Sequence, residues 1–153
     1  MVRGKIDRVL VATDGSQEAM EAARYAAALL KPLRPRITLL HVMPEPAIPP
    51  GDIEMRPRDL VEIEKTMLEG AQGILDRSRR PFDEAGLPVE GLIREGDAAE
   101  QIIQVIREEE MDLVVVGSHG AGRAERTILG STSDALVRSA PCPVLVVRRG
   151  TAD

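Results

Sequence analysis

An open, doubly wound α/β sheet is the fold this sequence predicts, and three observations predict it. Short apolar runs recur along the 153 residues, helical patterns lie between them, and the first, fourth and fifth runs are continuous and β-branched. Continuous runs of that kind suit strands covered on both faces, and strands that alternate with helices pair in parallel through crossovers.

The elements follow in order. Val9–Thr13 (VLVAT) is the first strand. Ser16 to Leu33 is an alanine-rich helix with Ala19, Ala22, Ala23, Ala26, Leu29 and Leu30 at helical spacing. Small side chains let such a helix lie close on a sheet, and Pro32 and Pro35 close it. Ile37–Met43 (ITLLHVM) is the second strand. The stretch from Pro44 to Pro57 holds five prolines and Gly51, and is either a linker or a flap beside a ligand crevice. Leu60, Ile63, Met67, Ala71, Ile74 and Leu75 mark a second amphipathic helix that runs towards Gly86, with Pro81 expected to kink or break it. Val89–Arg94 (VEGLIR) is mixed in character, as an edge strand is. Asp97 with Glu100 resembles a capping box opening a third helix with Ile102, Ile103 and Ile106. Leu113–Gly117 (LVVVG) is the fourth strand. A fourth helix includes Asp134 through Ser139, is opened by Gly130-Ser131 and is stopped by Pro141 and Pro143. Val144–Val147 (VLVV) is the fifth strand. The whole chain, 1–153, is expected to be one domain.

Composition excludes several functions. Aromatic residues make up 1% of the chain, too few for base-stacking platforms, and the net charge of −5 argues against a phosphate-backbone binder, so no nucleic-acid partner is expected. No apolar run approaches the ~20 residues of a membrane span, and no signal-peptide core precedes Asp14; a cytoplasmic protein is expected. The single cysteine, Cys142, sits among apolar neighbours as a small hydrophobe. His41 and His119 without a cysteine cluster make no zinc site.

Open α/β sheets bind ligands beyond the carboxyl ends of their strands, where strand order reverses. Thr13-Asp14-Gly15-Ser16 follows the first strand, and Gly117-Ser118-His119-Gly120-Ala121-Gly122 follows the fourth. Glycines let a backbone approach a ligand closely, successive N–H groups form an anion site, and a helix start adds about half a positive charge. Together with the Ser131 hydroxyl they build a phosphate cradle without lysine. Singly, the same glycines serve as turn residues, and Ser131 with Asp134 serves as a helix cap. Asp14 either accepts ribose hydroxyls or closes an Asx turn on Gly15-Ser16.

The spacing Gly117-x2-Gly120-x9-Gly130-Ser131 resembles the G-2x-G-9x-G-S/T motif of the universal stress protein family. The opening strand with Asp14-Gly15-Ser16, Gly96-Asp97, Asp112 to Gly117, and Ala140 to Val147 resemble the family in kind and order. The likeness covers roughly Lys5 to Arg148 and is weakest between Pro44 and Pro88. It implies a five-stranded parallel sheet ordered 3-2-1-4-5 with helices on both faces, and a crevice between the first and fourth strands. It implies ATP as ligand, with Mg²⁺ or Mn²⁺. By position, Asp14 would hold the ribose, while Ala12 and the Val42 backbone would lie near the adenine. Gly117, Gly120, Gly130, Ser131 and Thr132 would line the triphosphate. His119, Arg123 and Arg126 could reach phosphates, or be solvated. The resemblance also implies a homodimer through strand Val144–Val147, whose uncovered apolar edge is otherwise an aggregation hazard.

No nucleophile–base arrangement and no GxxxxGK[ST] loop is present, so an enzyme is not expected and hydrolysis would be slow at most. The leading function is an ATP-binding stress-response regulator in which the nucleotide orders the Gly117–Gly130 loop and alters the surface shown to an unknown protein partner. The alternative is a dimeric adaptor that uses no nucleotide. A phospho-switch of the response-regulator kind lacks the acidic pair after the first strand and has Arg148-Arg149 where a lysine is needed.

Overall fold

A computed structural model describes residues 4–45, 55–119 and 129–149. Its elements alternate as β1 (Arg8–Ala12), α1 (Gln17–Leu30), β2 (Arg36–Met43), α2 (Pro57–Glu84), β3 (Val89–Glu95), α3 (Ala98–Glu108), β4 (Leu113–Gly117), α4 (Ser131–Ser139) and β5 (Val144–Val147). The strands form one five-stranded parallel sheet in the order β3-β2-β1-β4-β5. This is the doubly wound arrangement expected, with the mixed third strand at one edge and the short fifth at the other.

Period-two alternation divides the core into two layers. Val9, Val11, Leu39 and Val115 face α1 and α2, packing on Ala22, Ala26, Leu75 and Phe82. Leu10, Leu40, Val114 and Val116 face the other way, onto Ile102, Val105 and Ile106 of α3 and Leu136 of α4. Asp112 ties the layers' central strands together, because its Oδ2 accepts from the amides of Asp7 and Arg8 at 2.9 Å each. Cys142 packs partly buried against the second layer; burial, and next the Asp112 charge, push its thiol pKa up.

Local rules explain most helix ends. Ser16 caps α1, its Oγ accepting from the Ala19 amide at 3.2 Å. Asp97 caps α3 in the same way, accepting from the Glu100 amide at 3.0 Å. In α4 the residue before the helix is Gly130, and no side chain caps it. The cap assigned to Ser131 in the alternative sequence reading is therefore not formed, and Ser131 stands one position inside the helix.

Two features of α2 differ from expectation. The helix passes through Pro81 and ends only at Glu84. The missing N–H removes a single bond, to the Arg77 carbonyl. That loss falls one turn from the end, where fully buried Phe82 and buried Ser78 and Leu75 hold the helix to the sheet. Leu60 and Ile63, expected on the core face, are 40% and 39% exposed, and burial along the stripe starts at Ala71. The 28-residue helix is ~42 Å long at 1.5 Å per residue, whereas the eight residues of β2 span only ~26 Å. The sheet is too short to cover the first turns. Among the described residues, no helix is long and apolar enough to cross a membrane.

Candidate functional site

Strand order reverses between β1 and β4, which are neighbours although β2 leaves one and β5 the other. At their carboxyl ends lies a cavity of about 250 Å³. Its walls come from six elements of the fold, Ala19 of α1 among them, and from the turns after the strands. Ala12, Thr13 and Asp14 close β1, Val42 ends β2, Gly117 and His119 end β4, and Gly130 to Ser133 open α4. Ala98 and Ile102 of α3 complete the apolar side. Of the residues expected at the site, Ala12, Asp14, Val42, Gly117, His119, Gly130, Ser131 and Thr132 thus surround one cavity. Gly120, Arg123 and Arg126 lie outside the described residues.

The turn after β1 is held rigidly. The Thr13 amide donates to the Leu40 carbonyl at 2.9 Å, and the Thr13 hydroxyl lies 2.9 Å from that of Ser78. The Thr13 carbonyl lies 2.8 Å from His41 Nδ1. A carbonyl only accepts, so His41 carries its proton on Nδ1, and this buried histidine is a structural clamp. Gly15 then turns at φ +78°, and Asp14 Oδ1 accepts from the Ser16 amide at 2.9 Å. Asp14 therefore closes the Asx turn and also lines the cavity, so the turn role does not remove it from the site.

The opposite wall is tied to β4. The Gly130 amide donates to the Ser118 carbonyl at 2.7 Å, and the Ser133 hydroxyl donates to the same carbonyl at 2.9 Å and to the Gly130 carbonyl at 3.1 Å. A helix start has four amides without intrahelical acceptors. One of them, on Gly130, is thus already engaged. The amides of Ser131, Thr132 and Ser133 remain for a ligand, at the positive end of the α4 dipole. The Gly117 position has a packing reason of its own: a Cβ there would lie 3.1 Å from the Glu18 carbonyl carbon and oxygen, so any side chain would press on the backbone of the first turn of α1.

His119 is 8% exposed and its Nδ1 is 3.1 Å from the Ser118 hydroxyl. Its buried Nε2 has no partner among the described residues. Such orphaned groups are uncommon in folded proteins. In the tautomer in which the Ser118 hydroxyl donates to Nδ1, Nε2 carries the hydrogen and is a donor at the cavity wall. Among the described residues, no group of three or more His, Cys, Asp or Glu could hold a metal ion.

Sequence reasoning missed Thr13 and Ser133 as parts of this site. Thr13 stood in the loop singled out after the first strand but was given no role there, and Ser133 has no signal beyond its place three residues after Gly130.

The model of the universal stress protein family matches residues 5–148. The chain belongs to that family. It is 35% identical to a universal stress protein of Thermus aquaticus, over 92% of this chain and 97% of that one. In structure it resembles the universal stress protein UspA of Lactobacillus plantarum, with a TM-score of 0.78 and 23% identity over 95% of this chain and 100% of that one. It also resembles a family protein of Arabidopsis thaliana with AMP bound, with a TM-score of 0.69 and 23% identity over 95% of this chain and 93% of that one. At these identities the structural likeness speaks for the fold.

Proposed function

We propose that the chain is an ATP-binding regulatory protein of the stress response, which grips the nucleotide's phosphates with main-chain amides. One observation carries this reading: the three unaccepted amides of Ser131 to Ser133 and the Asp14 carboxylate border the same cavity. Apolar Ala12, Val42 and Ile102 suit the flat adenine, with Val42 acting through its backbone. Asp14 takes the ribose hydroxyls. The first turn of α4 takes the phosphates, helped by the hydroxyls of Ser131 and Thr132 and by His119 Nε2. Gly117 sets the floor; Gly120, Arg123 and Arg126 belong to the proposal on sequence grounds. The family's AMP-bound member from Arabidopsis makes an adenine nucleotide the natural ligand class.

Mg²⁺ or Mn²⁺ would enter with the phosphates, which supply most of its oxygen ligands. Asp14 is the only carboxylate among the described residues that line the cavity. With Asp14 on the ribose, no described carboxylate remains to orient a water at the γ-phosphate, so hydrolysis is slow. Bound nucleotide changes the surface shown to a protein partner.

The test is direct. Denaturing the purified protein should release an adenine nucleotide identifiable by mass spectrometry. Nucleotide-free protein at about 100 times Kd of ATP should gain about 2.7 kcal/mol, a rise in Tm of roughly 5–10 °C. No released nucleotide together with no thermal shift at millimolar ATP would overturn the reading. It would favour the second reading, a dimeric adaptor without nucleotide, in which the motif's glycines are structural. The close approach of Glu18 to Gly117 supports that alternative for one of them.

The two sheet edges suggest the oligomer. β3 carries Glu90, Arg94 and Glu95, and charge blunts an edge; β5 is four apolar residues, Val144 to Val147. We propose pairing of β5 with β5 across a two-fold axis. Sedimentation equilibrium should give a dimer at micromolar concentration, and Leu145→Lys should convert it to monomer. A wild-type monomer would refute the pairing.

A further inference from the structure

On the outer side of the Asp14-Gly15-Ser16 turn, α1 and α2 border a cleft of about 310 Å³. It shares no lining residue with the cavity at the α4 N-terminus. Arg24 of α1 and Arg77 and Arg80 of α2 line it, with Glu84 as the one acidic residue among its described lining. Arg77 and Arg80 are three apart, so they share a helix face.

None of these three arginines has an ion pair or a hydrogen bond to a described residue. Six of the other described arginines are partnered: Arg8, Arg94, Arg138 and Arg149 meet carboxylates, and Arg34 and Arg79 donate to carbonyls. Arg36, Arg56, Arg58, Arg107 and Arg148 have no side-chain ion pair or hydrogen bond to a described residue; what marks the cleft is that three unpaired guanidinium groups line it together. A chain with 25 acidic residues and a net charge of −5 does not lack counter-charges. Gathering like charges in one cleft is unfavourable unless an anion joins them. Three planar guanidinium forks suit tetrahedral oxyanions, which they bind bidentately.

We infer that this cleft is a second anion site, and that its ligand is a small multiply charged phosphate of the pyrophosphate class. The site touches the turn directly. A Cβ on Gly15 would lie 3.0 Å from Arg77 Nη2 and 2.9 Å from Ile74 Cγ1, so the Arg77 guanidinium rests against the Gly15 backbone. An anion that fixes Arg77 therefore steadies the segment carrying Asp14 from behind.

The experiment is a titration of ¹⁵N-labelled protein with inorganic pyrophosphate at constant ionic strength, following the arginine Nε–Hε resonances. Those of Arg24, Arg77 and Arg80 should move with one common Kd, and the Gly15 amide should move with them. Arg24→Ala/Arg80→Ala should weaken this response by about tenfold or more. Shifts of the Ser131 to Ser133 amides report the other cavity separately and should be the same in both proteins. Arg24→Gln/Arg80→Gln repeats the test with side-chain length kept, should the alanine pair disturb the helices. The inference fails if the three arginines do not move, if sodium chloride of equal ionic strength moves them equally, or if both double variants respond like the wild type.

Discussion

Asp14→Asn is expected to weaken adenine-nucleotide binding about 30-fold while leaving the fold intact. The carboxylate is proposed to accept the ribose hydroxyls, and hydrogen bonds to a charged group are worth about 1.5–3 kcal/mol each. Asparagine keeps one acceptor oxygen and loses the charge, so about 2 kcal/mol of binding should go. The turn survives because only Oδ1 is needed for the 2.9 Å bond from the Ser16 amide, and an amide oxygen accepts it as well. Asp14→Ala removes both roles, and its extra cost should appear as a lower Tm of about 2–4 °C for about 1 kcal/mol. Calorimetric titration with ATP beside a thermal melt separates the two effects. Wild-type affinity in the asparagine variant would remove the ribose role from Asp14.

Gly117→Val should produce the largest loss of stability, about 3 kcal/mol or more, lowering Tm by roughly 6–12 °C. The new Cβ would stand 3.1 Å from the Glu18 carbonyl group and 3.2 Å from the Ala19 amide nitrogen. These are backbone atoms of the first turn of α1 and cannot rotate aside, so the helix start must move. Ser16 caps that turn and Asp14 precedes it, so nucleotide affinity should fall along with stability. Gly73→Ala is the control. A Cβ at Gly73, on the exposed side of α2, meets nothing within 4 Å, and the change should stabilise by about 0.5–1 kcal/mol. Scanning calorimetry of the two variants checks both signs. A Gly117→Val protein as stable as the wild type would show that α1 does not need the close approach.

What was legible in the sequence is what neighbouring residues dictate. Continuous β-branched runs at Val9, Leu113 and Val144 mark strands because both faces of each are covered. Ser16 and Asp97 mark helix starts because their side chains reach an amide three residues on. The crevice could be placed because a reversal of strand order leaves one gap at the carboxyl ends, and both candidate loops flank it. The glycine spacing led to the family, whose model spans residues 5–148.

Other properties depend on residues far apart in the chain. The apolar stripe of α2 runs from Leu60 to Leu75, yet only contact with a sheet of limited length decides that cover begins at Ala71. Gly117 looks like one more loop glycine until α1 is placed 3.1 Å from it. Gly130 looks like a phosphate donor until the Ser118 carbonyl, 12 residues earlier, takes its amide and leaves the grip to the three that follow. His41 is an unassigned histidine until the Thr13 carbonyl meets it across the sheet. Periodicity and capping act within a turn or two of the chain, so the sequence by itself determined the elements and their alternation. Burial, close approach and the spending of a hydrogen-bond donor arise only when distant segments meet, and those the tertiary structure decided.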